Sequence, residues 1–402
     1  LFSIFFFFLS IYAGSLDSVQ VGPGVTLYHQ IIYSFSFNIN IIKIDIQNPW
    51  LKFQSVKAGD KLMAFEKTSS MAARNNFEEH KVVAAINGDF YNTSTGEQIG
   101  SQVANGQLLK ATNDWLNIAF DIDKNPIIGM QNFSGLIIKD DSIKSVSGVN
   151  KIRNVDEMIF YNSFYGSSTS TNQYGTEVRI IPIDSWLVND TIRCIVDTVV
   201  TGIGNMVIGN NKAVLSGHGI SGVFLVNNLF KDDTIKVVLN LTPALSKIEQ
   251  LIGGNTWLVQ NGNVNQDNGD RHPRTSVGFN QDSTQFFMFV VDGRQPGLSV
   301  GMSYKELGDY MKIWGVHNGL NLDGGGSSTM VVRGSIVNSP SDIGGERSVA
   351  NSLLLISTAP TGPLEYIRIH PKEVFVLGGS SVNLFASGFD QYYNPVNIAS
   401  GS

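Results

Sequence analysis

Along most of this chain, short runs of β-branched and aromatic residues are interrupted by Gly, Asn and Asp. The clearest runs are Ile39 to Ile46, Val82 to Ile86, Arg179 to Ile183, Ile235 to Leu241, Phe286 to Val291 and Leu353 to Ile356. Apolar runs of this length, bounded by turn residues, predict strands. Two segments break the pattern. Thr68 to Phe77 reads as helical, and so does Ser303 to Trp314, where Tyr304, Leu307, Tyr310, Met311 and Trp314 recur at helix spacing. Ser303 followed by Glu306 has the form of a capping box. The expected fold class is α+β: a strand-rich mixed α/β body with few helices.

The two helical segments share a further arrangement. Ser69 precedes Asn87 by the same interval that separates Ser303 from Asn321, and each Asn is followed two residues later by an aspartate, Asp89 or Asp323. Each unit reads as helix, buried strand, then Asn-x-Asp at the strand end. Neither unit alone offers enough groups to hold a ligand, so one reading is a weak internal duplication that brings two equivalent strand ends to one cleft; a coincidence of spacing is the competing reading.

The ends of the chain read differently from the body. Residues 1 to 14 are uncharged and largely apolar, about as long as the core of a secretory signal and too short to span a bilayer. The expected organisation is a signal remnant over 1–16, a body over 17–360 and a separate unit over 361–402. In that last unit Tyr366 to Ile369, Glu373 to Leu377 and Val382 to Phe385 alternate around Gly378-Gly379-Ser380-Ser381. Such spacing suggests the start of an immunoglobulin-like β-sandwich, truncated before its second half.

Composition narrows the function classes. The 402 residues carry 28 Lys+Arg against 34 Asp+Glu, a net charge of -6, with no basic block. That balance argues against nucleic acid or an anionic membrane surface as partner. Charged residues make up 15% of the chain, below the usual share of roughly 25%. Solubility then rests on Asn, Ser, Thr, Gln and Gly, which suits a secreted, periplasmic or cell-surface protein. The one cysteine, Cys194, excludes an intrachain disulfide and any multi-cysteine zinc site. Its place in Ile192-Arg193-Cys194-Ile195-Val196 predicts a buried, inert thiol.

Three segments carry the candidate chemistry. In Asn321-Leu322-Asp323-Gly324-Gly325-Gly326-Ser327-Ser328-Thr329 the glycines predict unshielded N–H groups, an anion-binding nest beside a positioned carboxylate. The alternative is a flexible glycine turn capped by Asp323. In Ala84-Ala85-Ile86-Asn87-Gly88-Asp89-Phe90-Tyr91, Asn87 and Asp89 could bind sugar hydroxyls while Phe90 or Tyr91 stacks on a pyranose. Plain turn chemistry competes with that reading. The third segment, Arg271-His272-Pro273-Arg274-Thr275 with Asp292-Gly293-Arg294, lies where five of the chain's ten arginines fall between positions 271 and 347. Guanidinium groups suit phosphate; local ion pairs with aspartates are the competing role. His272 and His218 are candidate proton donors or ligands. No spacing specific to a metal occurs, although Asp89, Asn92 and Glu97 could supply oxygens to a structural cation. A nucleotide site fails on context, because no Lys follows the glycines.

Taken together, Asn87-Gly88-Asp89-Phe90, Arg271-His272-Pro273-Arg274-Thr275, Val291-Asp292-Gly293-Arg294 and Asn321 to Ser328 resemble the phosphodiester glycosidases. The likeness extends to Tyr174-Gly175-Thr176-Glu177-Val178, Gly253-Gly254, Gln260-Asn261-Gly262, Glu346-Arg347 and Val349 to Ser352. The resemblance implies hydrolysis of a sugar-1-phosphodiester, with neither a nucleotide cofactor nor an obligatory catalytic metal. It implies that Asp323, Asp89 and Asp292 are catalytic. Arg271, Arg274 and Arg294 would clamp phosphate, while Asn87, Phe90, Thr275 and Asn321 would bind substrate. Gly324, Gly325, Gly326, Ser327, Ser328 and Thr329 would complete the nest. With one cysteine and an immunoglobulin-like tail, the expected relative is a bacterial secreted enzyme. A phosphodiesterase acting on teichoic-acid-like polymers and a non-catalytic glycan-binding surface protein are the alternatives. The sequence sets no oligomeric state.

Overall fold

The computed structural model describes residues 14–243 and 246–398. Most of the expected signal segment thus lies outside the described residues. Its last positions, Gly14 to Leu16, open the first strand, Gly14–Gly22, which pairs with Val25–Ile32.

Two sheets frame the site. The first is a seven-stranded antiparallel sheet in the order Gly14–Gly22, Val25–Ile32, Phe37–Asp45, Gln285–Val291, Arg274–Phe279, Asn318–Asn321 and Thr256–Val259. The second has five strands, with Lys81–Asn87 between Met330–Val332 and Asn351–Ser357. Their inner faces meet in one core, where Ile42, Ile44, Met288, Val290 and Leu320 pack with Val83, Ile86, Leu353 and Leu355. The outer faces are buried too. Helix Tyr304–Ile313 lays Leu307 and Met311 over Ile39, Ile41, Phe287 and Phe289. Helix Thr68–Arg74 lays Met71 and Ala72 over Val82, Ala85, Leu354 and Ile356.

Burial on both faces explains why these strands read as continuous apolar runs rather than as alternations. All six expected strands are present, with their ends moved by one to three residues. Truncating a core side chain such as Leu353 or Leu355 to Ala would cost about 2–5 kcal/mol. Among the described residues there are three α-helices, so the body is mostly β.

A five-stranded sheet containing Leu116–Asp121 and Ile248–Gly253 feeds Ile118, Phe120 and Ile252 into the same core. Its other face meets an eight-stranded sheet through Val103, Ala119 and Leu251, against Val178, Ile192, Cys194 and Val237. Cys194 is buried there, and burial pushes its thiol up to about 12, as an inert thiol requires.

At the C-terminus, Tyr366–His370, Phe385–Phe389 and Pro395–Val396 form a three-stranded antiparallel sheet. The run Glu373 to Leu377 forms no strand. Phe375 is 98% exposed and Leu377 83%, so among the described residues nothing covers their apolar side chains.

Candidate active site

The two Asn-x-Asp strand ends meet between the framing sheets. The Asp323 N–H donates to the Gly88 carbonyl (2.9 Å), and Asn87 Nδ2 donates to the Asp323 carbonyl (2.6 Å). Asn87 Oδ1 accepts from Thr275 Oγ1 (2.7 Å) and from the Thr329 N–H (3.1 Å). Expected to touch the sugar, the Asn87 amide and the Thr275 hydroxyl instead clasp the two sheets together. Both ends of that buried amide are spent on protein groups, so these residues position the site.

Asp89 is 1% exposed. Its Oδ2 accepts from the Gly100 N–H (2.6 Å), its Oδ1 accepts from Trp115 Nε1 (3.2 Å), and Asn351 Oδ1 accepts from its own N–H (2.8 Å). A Cβ on Gly253 would stand 2.3 Å from Asp89 Oδ2, so this glycine is required by close approach. Burial pushes the Asp89 carboxyl up to about 7, with the Gly100 and Trp115 donors pulling back and the Asp323 charge adding to the rise. Burial likewise raises Asp323 to about 6, opposed by Ser327, Arg347 and the Gly324 N–H. Tyr91 joins this cluster. Burial raises its phenol, which feels Ser327, Asp323 and Arg347.

The glycines do less as an open cradle than the sequence suggests. The Gly325 N–H donates to the Pro273 carbonyl (2.9 Å), and the N–H groups of Ser327 and Ser328 close a tight turn onto Gly324 and Gly325. With those donors spent, the glycines serve close approach. A Cβ on Gly326 would stand 2.0 Å from Asp342 Oδ1 and 2.2 Å from an Arg347 guanidinium nitrogen. Gly325 has φ +63 and lies under the Arg294 guanidinium. The Ser328 and Thr329 hydroxyls are buried and make no hydrogen bond to protein, which leaves them available to a ligand.

Of the arginines, Arg294 and Arg347 reach this loop. Arg347 is held by Asp342 (2.7 and 2.9 Å). Arg294 meets His272 Nδ1 (3.2 Å), which places His272 at the rim. Arg274 lies 4.2 Å over the Tyr304 ring and donates to the Met302 carbonyl (2.9 Å). Arg271 turns elsewhere: its Nε donates to Glu306 (3.0 Å) and its guanidinium stacks on Phe37 (5.2 Å). The carboxylate that caps the helix thus takes the arginine expected to clamp phosphate. Asp292 Oδ1 is committed to Asn338 Nδ2 (3.0 Å) and the Ser339 N–H (2.9 Å), and burial raises its carboxyl to about 6. Asp292 therefore fixes the loop after Met330–Val332. Phe90 stays half-buried, edge-on to Trp115 at 6.4 Å. His218 stacks on Tyr174 in the eight-stranded sheet's region, away from the carboxylates.

Sequence reasoning missed Trp115 and Gly100 as members of the site, expected Tyr91 only as a stacking aromatic, and noted Arg347 only as one of a cluster. Glu346-Arg347 carried a signal within the family likeness; Asn113-Asp114-Trp115 carried none. Among the described residues no three His, Cys, Asp or Glu side chains group as metal ligands. Glu97 pairs with Lys110 (2.7 Å).

Residues 188–356 match the phosphodiester glycosidase family. The chain is 31% identical to mouse N-acetylglucosamine-1-phosphodiester alpha-N-acetylglucosaminidase over 112 residues, 23% of this chain and 21% of the relative. It is 30% identical to the bovine protein of that name over 168 residues, 35% of this chain and 30% of the relative. The matched stretches thus span under a third of those relatives. A crystal structure from Synechocystis superposes with a TM-score of 0.62 at 16% identity, covering 86% of this chain and 64% of the other. One from Burkholderia pseudomallei superposes with a TM-score of 0.56 at 22% identity, covering 79% and 74%. Both share the fold. Over residues 188–356, and in the stretches shared with relatives that bear that activity in their names, this chain is similar to the phosphodiester glycosidase family.

Proposed function

We propose that the chain is a secreted hydrolase that cleaves a sugar-1-phosphodiester, releasing free sugar and leaving a phosphomonoester. The observation that carries the reading is the pair of carboxylates, buried Asp89 and half-buried Asp323, at the meeting strand ends with Arg347 beside them. Their environments push the two groups to different values. Between about pH 6 and 7, Asp323 is ionised while Asp89 keeps its proton, the split that assigns base and acid in paired-carboxylate sites. Ionised Asp323 stabilises positive charge developing at the anomeric carbon and takes a proton from the attacking water. The new bond joins water oxygen to that carbon; the carbon–oxygen bond to phosphate breaks, and the electron pair leaves with the phosphate. Arg294 and Arg347 offset the phosphate charge. A phosphomonoester leaves readily, so little help is needed at the leaving oxygen. Neither a nucleotide nor a metal takes part in this scheme, and the C-terminal sheet belongs to an immunoglobulin-like appendage.

Hydrolysis of a GlcNAc-1-phospho-6-mannose diester in ¹⁸O water, beside Asp323→Asn, tests the proposal. Label in the released sugar, lost in the variant, is expected. Label in phosphate would mean phosphorus–oxygen cleavage, and no product from a panel of such diesters would leave a glycan-binding protein.

A further inference from the structure

We propose that a second subsite, for a neutral sugar unit, adjoins the carboxylate pair at the edge strand Thr256–Val259. A cleft of about 290 Å³ opens there, lined by Asn255, Trp257, Gln260, Asn263, Asn265 and Gln266 among others. No lining side chain is ionisable. Amides offer both donors and acceptors, as sugar hydroxyls require, and the half-buried Trp257 offers an aromatic surface for a pyranose. A phosphate would lose its hydration here with no countercharge. Charge therefore belongs at the glycine loop, where Arg294 and Arg347 stand. The volume lies near the lower end for ligand clefts and suits one additional ring.

Both walls of the cleft run into the site. Gly253, against which Asp89 packs, precedes Gly254, whose N–H donates to the Leu116 carbonyl (2.8 Å). Asn255 Oδ1 accepts from Asn321 Nδ2 (2.8 Å), and the Asn255 N–H donates to the Asn321 carbonyl (3.0 Å). Asn321 lies two positions before Asp323. Its Oδ1 is buried and makes no hydrogen bond to protein, leaving an acceptor at the junction. On the other wall Leu116 follows Trp115, whose indole holds Asp89. The chemistry points to substrates whose 1-phosphorylated sugar carries a further neutral sugar, as at the end of a glycan chain. This inference rests on the proposed function for its place in the reaction, while the subsite itself is testable without turnover.

The test is saturation-transfer NMR and calorimetric titration of the intact chain with neutral monosaccharides and their disaccharides, N-acetylglucosamine and its β-1,4 disaccharide first. Wild type should bind one disaccharide of the panel about tenfold more tightly than its monosaccharide, roughly 1.4 kcal/mol. Trp257→Ala and Gln260→Ala should each erase most of that gain. Gln260 is exposed, so its variant keeps the fold if Trp257→Ala loses it. No disaccharide advantage across the panel, or an advantage untouched by Gln260→Ala and by a folded Trp257→Ala, overturns the subsite. Hydrolysis of monosaccharide diesters, measured separately, tests the carboxylate chemistry. Binding as expected without any turnover would sink the proposed reaction and leave the subsite standing.

Discussion

The two carboxylates that define this site differ in what surrounds them. Asp89 is enclosed by Gly100, Gly253 and Trp115, and burial takes it to about 7; Asp323 is half-buried beside Arg347 and reaches about 6. If the reaction needs Asp323 ionised and Asp89 protonated, kcat/KM should rise as pH passes about 6 and fall above about 7. The two limbs belong to the coupled pair. A flat profile from pH 5 to 8 would sink this assignment. Asp323→Asn should lower kcat by about 10²–10⁴ without changing the unfolding temperature by more than a few degrees. Both aspartates were legible because each ends an apolar run with the same Asn-x-Asp spelling. Trp115 was not, since its indole meets Asp89 only once segments apart in sequence have folded together. Arg271 was misread for a related reason. Whether an arginine meets phosphate or carboxylate depends on what folds beside it, and Glu306 in the helix's first turn got there first.

Among elements, the glycine loop and the helix caps show how far local sequence rules reach. Three glycines in a row suggested an open row of N–H donors, yet the Gly325 N–H is spent on Pro273 and the Ser327 and Ser328 N–H groups close the turn. What the run provides is room for the Asp342–Arg347 pair above Gly326. Gly326→Ala should therefore push that pair aside and cut kcat/KM at least tenfold while the chain still folds. Gly344→Ala, with nothing within 4 Å of the new methyl, should match wild type in steady-state kinetics. The capping box on Tyr304–Ile313 was readable from Ser303 and Glu306 and is fully formed. Ser303→Ala should cost about 1 kcal/mol, seen as a fall of roughly 1 °C in thermal unfolding. The third helix, Ile220–Asn228, escaped the reading. It buries Ser221, Gly222 and Leu225 and turns Ile220, Val223 and Val226 outward, so no apolar stripe marks its inner face.

At the scale of the molecule, two sheets each carry a helix on the outside and an Asn-x-Asp end at their junction, so the cleft exists only once residues far apart in sequence have paired. Lys57 ends the edge strand Leu51–Lys57 of the second sheet. It is opposite Asn351 in the pairing of Leu51–Lys57 with Asn351–Ser357, 1% exposed, and its Nζ donates to the carbonyls of Gly96 (2.9 Å) and Ala350 (2.7 Å). Burial lowers its ammonium to about 7, partly offset by Glu97. Unfolded, this lysine holds its proton to about pH 10.4. Between those values the unfolded chain binds more protons, and stability from this group rises with pH. The buried aspartates act in the opposite sense. Their unfolded carboxyls ionise near pH 4 and their folded ones at about 6 to 7, so the stability they give is present at low pH and is lost as pH climbs through that window. Together these groups place a minimum near pH 7 in a plot of unfolding temperature against pH, with a rise towards pH 9. Lys57→Met should lower stability throughout, because it leaves the Gly96 carbonyl without the Lys57 donor and takes one of two donors from Ala350, and should flatten the alkaline rise while leaving the acid fall in place. An alkaline rise that persists in Lys57→Met would mean that another group sets it, and the buried ammonium would then be a fixed tie between the loops rather than a titrating one.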